Sequence, residues 1–231
     1  MSVPDKLKLT YFDIEGVAEP VRLAFSLAGI PFEDDRVKFP EWKELKSKTP
    51  YGKLPVLTID DGEMKTQSGA QLRYAASIDP TGTLYPKEKL YEIEECIGLV
   101  KDLQDSWAPK LYIGMRPANF GHAEDFGKTA NGKAKVKAMR MEWVEQEMPE
   151  LLSYIDAKIE KNGGTFLCGG DKPTIADCLL VPLLRGFTKG HIDHVDTECI
   201  KKNSPKLVEY IERFCALPEI KGRYTDGIGS A

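Results

Sequence analysis

The chain has 231 residues, 42% hydrophobic and 29% charged, which fits a water-soluble globular protein of one large domain or two small ones. A net charge of −4 without any basic block argues against nucleic-acid or anionic-membrane partners. No apolar run reaches the roughly 18–20 residues of a membrane-spanning helix.

Residues 6–78 alternate strand and helix patterns. KLKLTYF (6–12) reads as a short strand and Val17 to Gly29 as a helix, with Pro20 in its first turn and Gly29 as its stop. A second strand follows near Phe32 to Val37, and a short helical piece after Pro40. A hairpin-like pair at 55–59 and 63–66 turns at Asp60-Asp61-Gly62, and a helix runs from about Ser68 to Ser77. The order β-α-β-α-β-β-α implies a mixed sheet with helices packed on it. Pro80, Gly82 and Pro86 mark a linker. From Tyr91 onward apolar residues recur at three- and four-residue spacing, first from Ile93 to Leu111 and then from Val136 to Ile159, where Pro149 is expected to kink the helix. Thr174-Ile-Ala-Asp177 has the form of a capping box. The expected division is 1–80, a linker at 81–90, and a helix bundle at 91–231.

Between the long helical stretches, residues 114–135 hold four glycines and one proline and read as an exposed connection. GHAEDFGKT (121–129) imitates a phosphate-binding loop. Its glycines are one residue too far apart, no apolar strand precedes it, and Gly132 is expected to interrupt any helix after it. Nucleotide binding is therefore rejected. The five cysteines (Cys96, Cys168, Cys178, Cys199, Cys215) lack any metal-ligand spacing, so buried reduced thiols and no metal site are expected. MSVPDKLKLTYF shows no long apolar leader and GIGSA no retention or lipid signal, so the expected location is cytoplasmic.

Several residues are candidates for chemistry, each ambiguous alone. Tyr11, at the tip of the first strand, either faces a ligand crevice or packs half-buried with a wet hydroxyl. Gln67-Ser68 is either a plain helix cap or an anion site at a helix N-terminus. Trp42, Lys46 and Lys53 form either a solvated face or a second anion clamp. Pro55 stands at the mouth of an apolar strand, where proline removes a ladder donor.

Taken together, TYF (10–12), EGVAEPVR (15–22), EW (41–42), PYGKLPVL (50–57), TQSGAQLRYAA (66–76) and FLCGGDKPTIAD (166–177) resemble the cytosolic glutathione S-transferases, in order and spacing, over nearly the whole chain. The likeness is nearest to the tyrosine-type classes, sigma in particular. It implies a thioredoxin-like N-terminal domain, an all-helical C-terminal domain and a homodimer. It also implies that Pro55 is cis and that Leu54 offers its backbone N–H and C=O to the cysteine portion of glutathione. Gln67 and Ser68 would hold the γ-glutamyl end, and Trp42, Lys46 and Lys53 the glycyl carboxylate. Asp105, or less directly Asp102, resembles the aspartate that reaches the γ-glutamyl amine bound in the partner subunit, and Tyr51 matches an interface aromatic of some classes.

The mechanism so implied is conjugation, with detoxification as its setting: the Tyr11 hydroxyl donates to the glutathione sulfur and favours its thiolate. Glutathione is the co-substrate, and no other cofactor is implied. No cysteine lies in residues 1–95, and the segment Glu15-Gly16-Val17-Ala18 lacks serine too, which argues against cysteine- and serine-type variants. Val17 departs from the pattern, since related sigma, alpha and pi enzymes carry arginine there. Arg22 lies far along the helix for a simple replacement, so weaker thiol activation or glutathione affinity is expected. The electrophile pocket is expected between the domains, lined by Phe12, Val17, Trp107, Leu111, Met115 and the segment near Tyr224. Alternatives are a glutathione-dependent isomerase of the prostaglandin-synthase kind, a peroxidase, and a non-catalytic carrier or crystallin-like protein.

Overall fold

The structure, a computed structural model, describes residues 3–60 and 62–224. Strand β1 (Leu7–Phe12) shows the period of two expected for a strand: Leu7, Leu9 and Tyr11 are buried, while Lys8, Thr10 and Phe12 are half-buried. It pairs in parallel with β2 (Glu33–Val37) and antiparallel with β3 (Val56–Ile59), which pairs with β4 (Glu63–Lys65). The sheet order is β2-β1-β3-β4. Of the expected turn between β3 and β4, Asp61 lies outside the described residues. A parallel neighbour requires a crossover, supplied by α1 (Glu19–Leu27), which follows a 3₁₀ turn at Gly16–Ala18 and carries Pro20 in its first turn. Helices α2 (Trp42–Leu45) and α3 (Ser68–Ser77) complete a thioredoxin-like N-terminal half.

The remainder is helical: α4 (Leu90–Tyr112), α5 (Ala130–Glu142), α6 (Met148–Lys161), α7 (Ile175–Thr188), α8 (Cys199–Asn203) and α9 (Pro205–Cys215). Helix α7 packs against both α4 and α1, so one apolar core continues from the sheet into the bundle. No helix among the described residues is long and apolar enough to cross a membrane.

One expectation is corrected. Gly132 does not interrupt a helix; it lies inside α5, buried, with its N–H donated to the Thr129 hydroxyl, which caps the helix. A Cβ at 132 would sit 1.7 Å from the carbonyl oxygen of Phe126, so the helix needs glycine to pass that turn. Pro149 lies inside a continuous helical run, residues 130–161, and the irregularity expected there takes the form of a π turn at Trp143–Glu147 immediately before the proline. There the Trp143 indole is fully buried, 4.7 Å from the Trp107 ring and 5.4 Å from Phe187, and donates to Ser106 Oγ at 2.6 Å.

Candidate active site

Tyr11 stands at the sheet's edge of the β1–α1 loop. Its ring is buried, and its hydroxyl lies against Gly16: a Cβ there would approach the phenol oxygen to 2.6 Å. Gly16 has a φ of +45°, a conformation that side chains other than glycine's resist. This tight loop brings the Val17 backbone N–H to the phenol oxygen. Burial pushes the Tyr11 pKa up, the Val17 amide and the charges of Arg22 and Arg116 pull it down, and the net direction is upward. The hydroxyl is therefore protonated throughout the neutral range. Its oxygen already accepts from Val17, and its proton has no acceptor among the described residues.

Arg22 holds this loop from behind. Its Nη1 donates to the carbonyls of Ile14 (2.8 Å) and Glu15 (3.3 Å) and to Glu19 Oε2 (3.2 Å), while Nε donates to Asp34 (2.8 Å). Its guanidinium carbon lies 5.8 Å from the centre of the Tyr11 ring. Arg22 thus reaches Tyr11 from beneath, closer than its place along the helix suggests, although Val17 itself offers no charge.

Across from Tyr11, the antiparallel register ends at Thr10–Val56, which sets Pro55 and Leu54 just beyond it. The Leu54–Pro55 peptide is cis, as expected. Among the described residues neither the N–H nor the C=O of Leu54 has a hydrogen-bond partner. The segment is tied to α3 by buried Gln71, whose Nε2 donates to the carbonyls of Pro55 (3.1 Å) and Lys65 (2.9 Å). Gln67 precedes α3 with φ +71° and ψ 102°, and its carbonyl accepts from Ala70 and Gln71. The N–H groups of Ser68 and Gly69, at the start of the helix, have no intrahelical acceptor and face outward with the positive end of the dipole.

On the third side, Phe12 stacks on Phe39 (centroids 4.6 Å apart) and meets Trp42 edge-on (5.7 Å). The Lys46 stem lies over Gly52, beside Lys53. Both lysines are exposed, and neither has an ion-pair partner among the described residues.

The other sequence candidates are placed differently. Trp107 packs in the core against Trp143 and Phe187. Tyr224 is buried, with its hydroxyl on Glu19 Oε1 (2.9 Å) and its ring under the Arg185 guanidinium (3.9 Å). Val17 and Met115 are exposed, by 47% and 65%, and Leu111 is half-buried, so these three remain available to a ligand. Asp105 is exposed on α4 and pairs with Lys101, and Tyr51 is 80% exposed rather than packed on its own domain. Sequence reasoning missed Gly16, Gln71 and the loop-holding role of Arg22. Gln71 did leave a trace, as a polar residue on the buried stripe of α3 with Leu72, Ala75 and Ala76.

Residues 7–77 match the family model described as the N-terminal domain of glutathione S-transferase, and residues 125–224 match its C-terminal domain. Over 215 residues, 93% of each chain, the sequence is 31% identical to glutathione S-transferase 4 of Caenorhabditis elegans. The chain belongs to the glutathione S-transferase family. Among solved structures, the sigma class glutathione S-transferase of Fasciola hepatica superposes with a TM-score of 0.73 at 25% identity, covering 98% of each chain. The prostaglandin synthase D of Nilaparvata lugens gives the same score and identity over 96% of this chain and 97% of its own. A hollow of about 390 Å³ at the far end of α1, lined by Phe25, Ile30, Phe32 and Glu219, lies a helix length from this transferase's Tyr11 loop.

Proposed function

We propose that this glutathione S-transferase binds glutathione between Leu54, the Gln67-Ser68 corner and the Trp42–Lys46–Lys53 face, and that Tyr11 stabilises the thiolate, which attacks small hydrophobic electrophiles. The observation that carries this reading is the Tyr11 hydroxyl. It is protonated, held by the Val17 amide, and left with its proton unused beside an unpaired stretch of Leu54 backbone. The Leu54 N–H and C=O suit the cysteinyl backbone as a short antiparallel pair. The free amides at the start of α3 suit the γ-glutamyl carboxylate, and the two unpaired lysines suit the glycyl carboxylate. An acidic protein thereby binds an acidic ligand through local positive groups.

A free thiol with a pKa of about 8.5 is only a few per cent thiolate at neutral pH. A hydrogen bond to a charged acceptor contributes about 1.5–3 kcal/mol, which lowers that pKa by roughly one to two units. The thiol proton leaves to solvent, sulfur bonds to the electrophilic carbon, and the leaving group departs with its electron pair. Tyr11 acts as a donor and not as a base, so Val17 in place of a charged side chain does not remove the step.

In this reading Phe12, Val17, Leu111 and Met115 flank the electrophile. Trp107 and Tyr224 support that wall from within the core. Residues 1–80 and 91–231 act as two domains across the 81–90 linker, in the cytoplasm. Pairing with a second copy would bring Asp105 to the partner's glutathione and bury Tyr51; light scattering at micromolar concentration showing a monomer removes that part. The decisive experiment is Tyr11→Phe assayed with 1-chloro-2,4-dinitrobenzene. A fall in kcat/KM of about 10–50-fold is expected, with glutathione binding retained. An unchanged rate overturns the assignment of Tyr11. The likeness to a prostaglandin synthase favours one second reading, an isomerase that returns the thiolate unconsumed; product analysis showing an isomer and unchanged glutathione separates it.

A further inference from the structure

Of the eight arginines in the sequence, seven bind carboxylates, carbonyls or, for Arg185, a carboxylate and a thiol. Arg116 is the exception: its side chain makes no hydrogen bond or ion pair among the described residues. Its exposed guanidinium lies with its carbon 5.0 Å from the centre of the Tyr112 ring, a cation–π contact that orients the group without occupying its five N–H donors. The backbone beneath it is fixed. The Arg116 N–H donates to the Tyr112 carbonyl at 2.7 Å, closing the end of α4, and Pro117 opens a 3₁₀ turn immediately after. The Arg116 guanidinium lies within electrostatic reach of the Tyr11 phenol, whose pKa its charge pulls down. Arg116 thus approaches the reacting atom from the helical domain, beside exposed Met115 and half-buried Leu111.

We infer that Arg116, steadied on Tyr112, is the anion-binding residue of the second-substrate pocket and selects electrophiles that join an apolar body to a carboxylate. The inference rests on the proposed role of Tyr11 and extends it to the substrate. Both carboxylates of glutathione are already matched on the N-terminal domain, by the start of α3 and by Lys46 and Lys53. An unpaired cation arriving from the other domain therefore has the second substrate as its partner. Guanidinium pairs with carboxylate through two parallel hydrogen bonds, and burial of the apolar body against Met115 and Leu111 excludes the water that would weaken them.

The test compares 4-chloro-3,5-dinitrobenzoate with its methyl ester. In both, the glutathione sulfur bonds to the ring carbon that bears chlorine, and chloride leaves with the bonding pair. The two differ in charge, and the ester is also intrinsically the more reactive, a difference that cancels when each variant's acid-to-ester ratio is compared with the parent's. Arg116→Gln is expected to lower the acid-to-ester ratio of kcat/KM about tenfold, mainly through KM for the acid, while Arg116→Lys, which keeps the charge and loses the two-pronged geometry, gives a ratio between those of Arg116→Gln and the parent protein. A ratio within about twofold of the parent value, including an equal fall with both substrates that would place Arg116 on the thiolate instead, overturns the inference. Failure of the parent reading is recognised separately: calorimetry then shows no glutathione binding by the unaltered protein, and the inference falls with it.

Discussion

A methyl group on Gly16 would meet the Tyr11 hydroxyl at 2.6 Å and ring carbon Cε1 at 2.8 Å, on a backbone with φ +45°. The ring cannot retreat, because Tyr11 is buried at the end of a strand and backed by Arg22. Gly16→Ala therefore does two things. It adds backbone strain of about 1–2 kcal/mol, and it pushes the hydroxyl off the Val17 amide. The expected outcome is a folded protein whose kcat falls about tenfold and whose bound-glutathione thiol pKa, followed by thiolate absorbance, rises by about one unit. Unchanged thiolate absorbance would show that the loop does not aim the phenol. At this scale the sequence revealed residues that carry their own signal. Tyr11 ends an alternating strand, and Pro55 stands where a ladder donor is needed. Residues that act through distant partners left no such mark. Gln71 reaches the carbonyls of Pro55 and Lys65, and Arg22 reaches those of Ile14 and Glu15, contacts that exist only after the chain has closed.

Helix α7 joins the two halves, and its N-terminus is held by a local rule. The Thr174 hydroxyl accepts from the Ala176 N–H at 3.3 Å, and Asp177 Oδ2 accepts from the Thr174 N–H at 2.7 Å. That much was legible from a four-residue spacing. What the spacing could not show is the work of the other oxygen. Asp177 Oδ1 accepts from the Leu167 N–H (2.8 Å) and from the Tyr210 hydroxyl on α9 (2.6 Å), so one fully buried carboxylate ties the loop before α7 to α9. Burial pushes its pKa up despite these donors. Asp177→Ala leaves three buried donors without an acceptor, at about 1–3 kcal/mol each and not fully additive. A loss of about 3–5 kcal/mol is expected, or a Tm lower by roughly 10 °C for a chain of this size. A Tm shift below about 2 °C would mean that water replaces the carboxylate. Gly132 teaches the converse. Glycine costs about 1 kcal/mol in a helix interior, so a local reading ends the helix there, whereas close approach to the Phe126 carbonyl makes glycine the residue that lets α5 form.

For the whole molecule, the joint between sheet and bundle is ionic as well as apolar. Glu19, at the start of α1, is fully buried and accepts from Arg223 Nε (2.6 Å) and Nη2 (2.8 Å), from the Tyr224 hydroxyl (2.9 Å) and from Arg22 Nη1 (3.2 Å). Nearby, Glu15 pairs with Arg185 of α7 and with Lys189 just past its end. These contacts span 174 and 204 residues of chain, so no local pattern announces them, and the sequence placed Tyr224 in a substrate wall instead. Burial alone would raise the Glu19 pKa, but the Arg223 hydrogen bonds, the Arg223 and Arg22 charges and the Tyr224 hydroxyl outweigh it, and the net direction is downward. A carboxylate whose pKa is lower folded than unfolded contributes stability that is complete above the unfolded value, about 4.3, and is lost as pH falls through the lower folded value. Glu19→Gln removes the charge while leaving Arg22 and Arg223 in place, and breaking a buried pair in this way costs about 3–5 kcal/mol. The gap between the two proteins' unfolding free energies, from urea titrations, should therefore be constant from pH 7 down to about 5 and close as the medium falls below about 4. A gap that persisted unchanged down to pH 3 would show that the Glu19 carboxylate gains nothing from its charge.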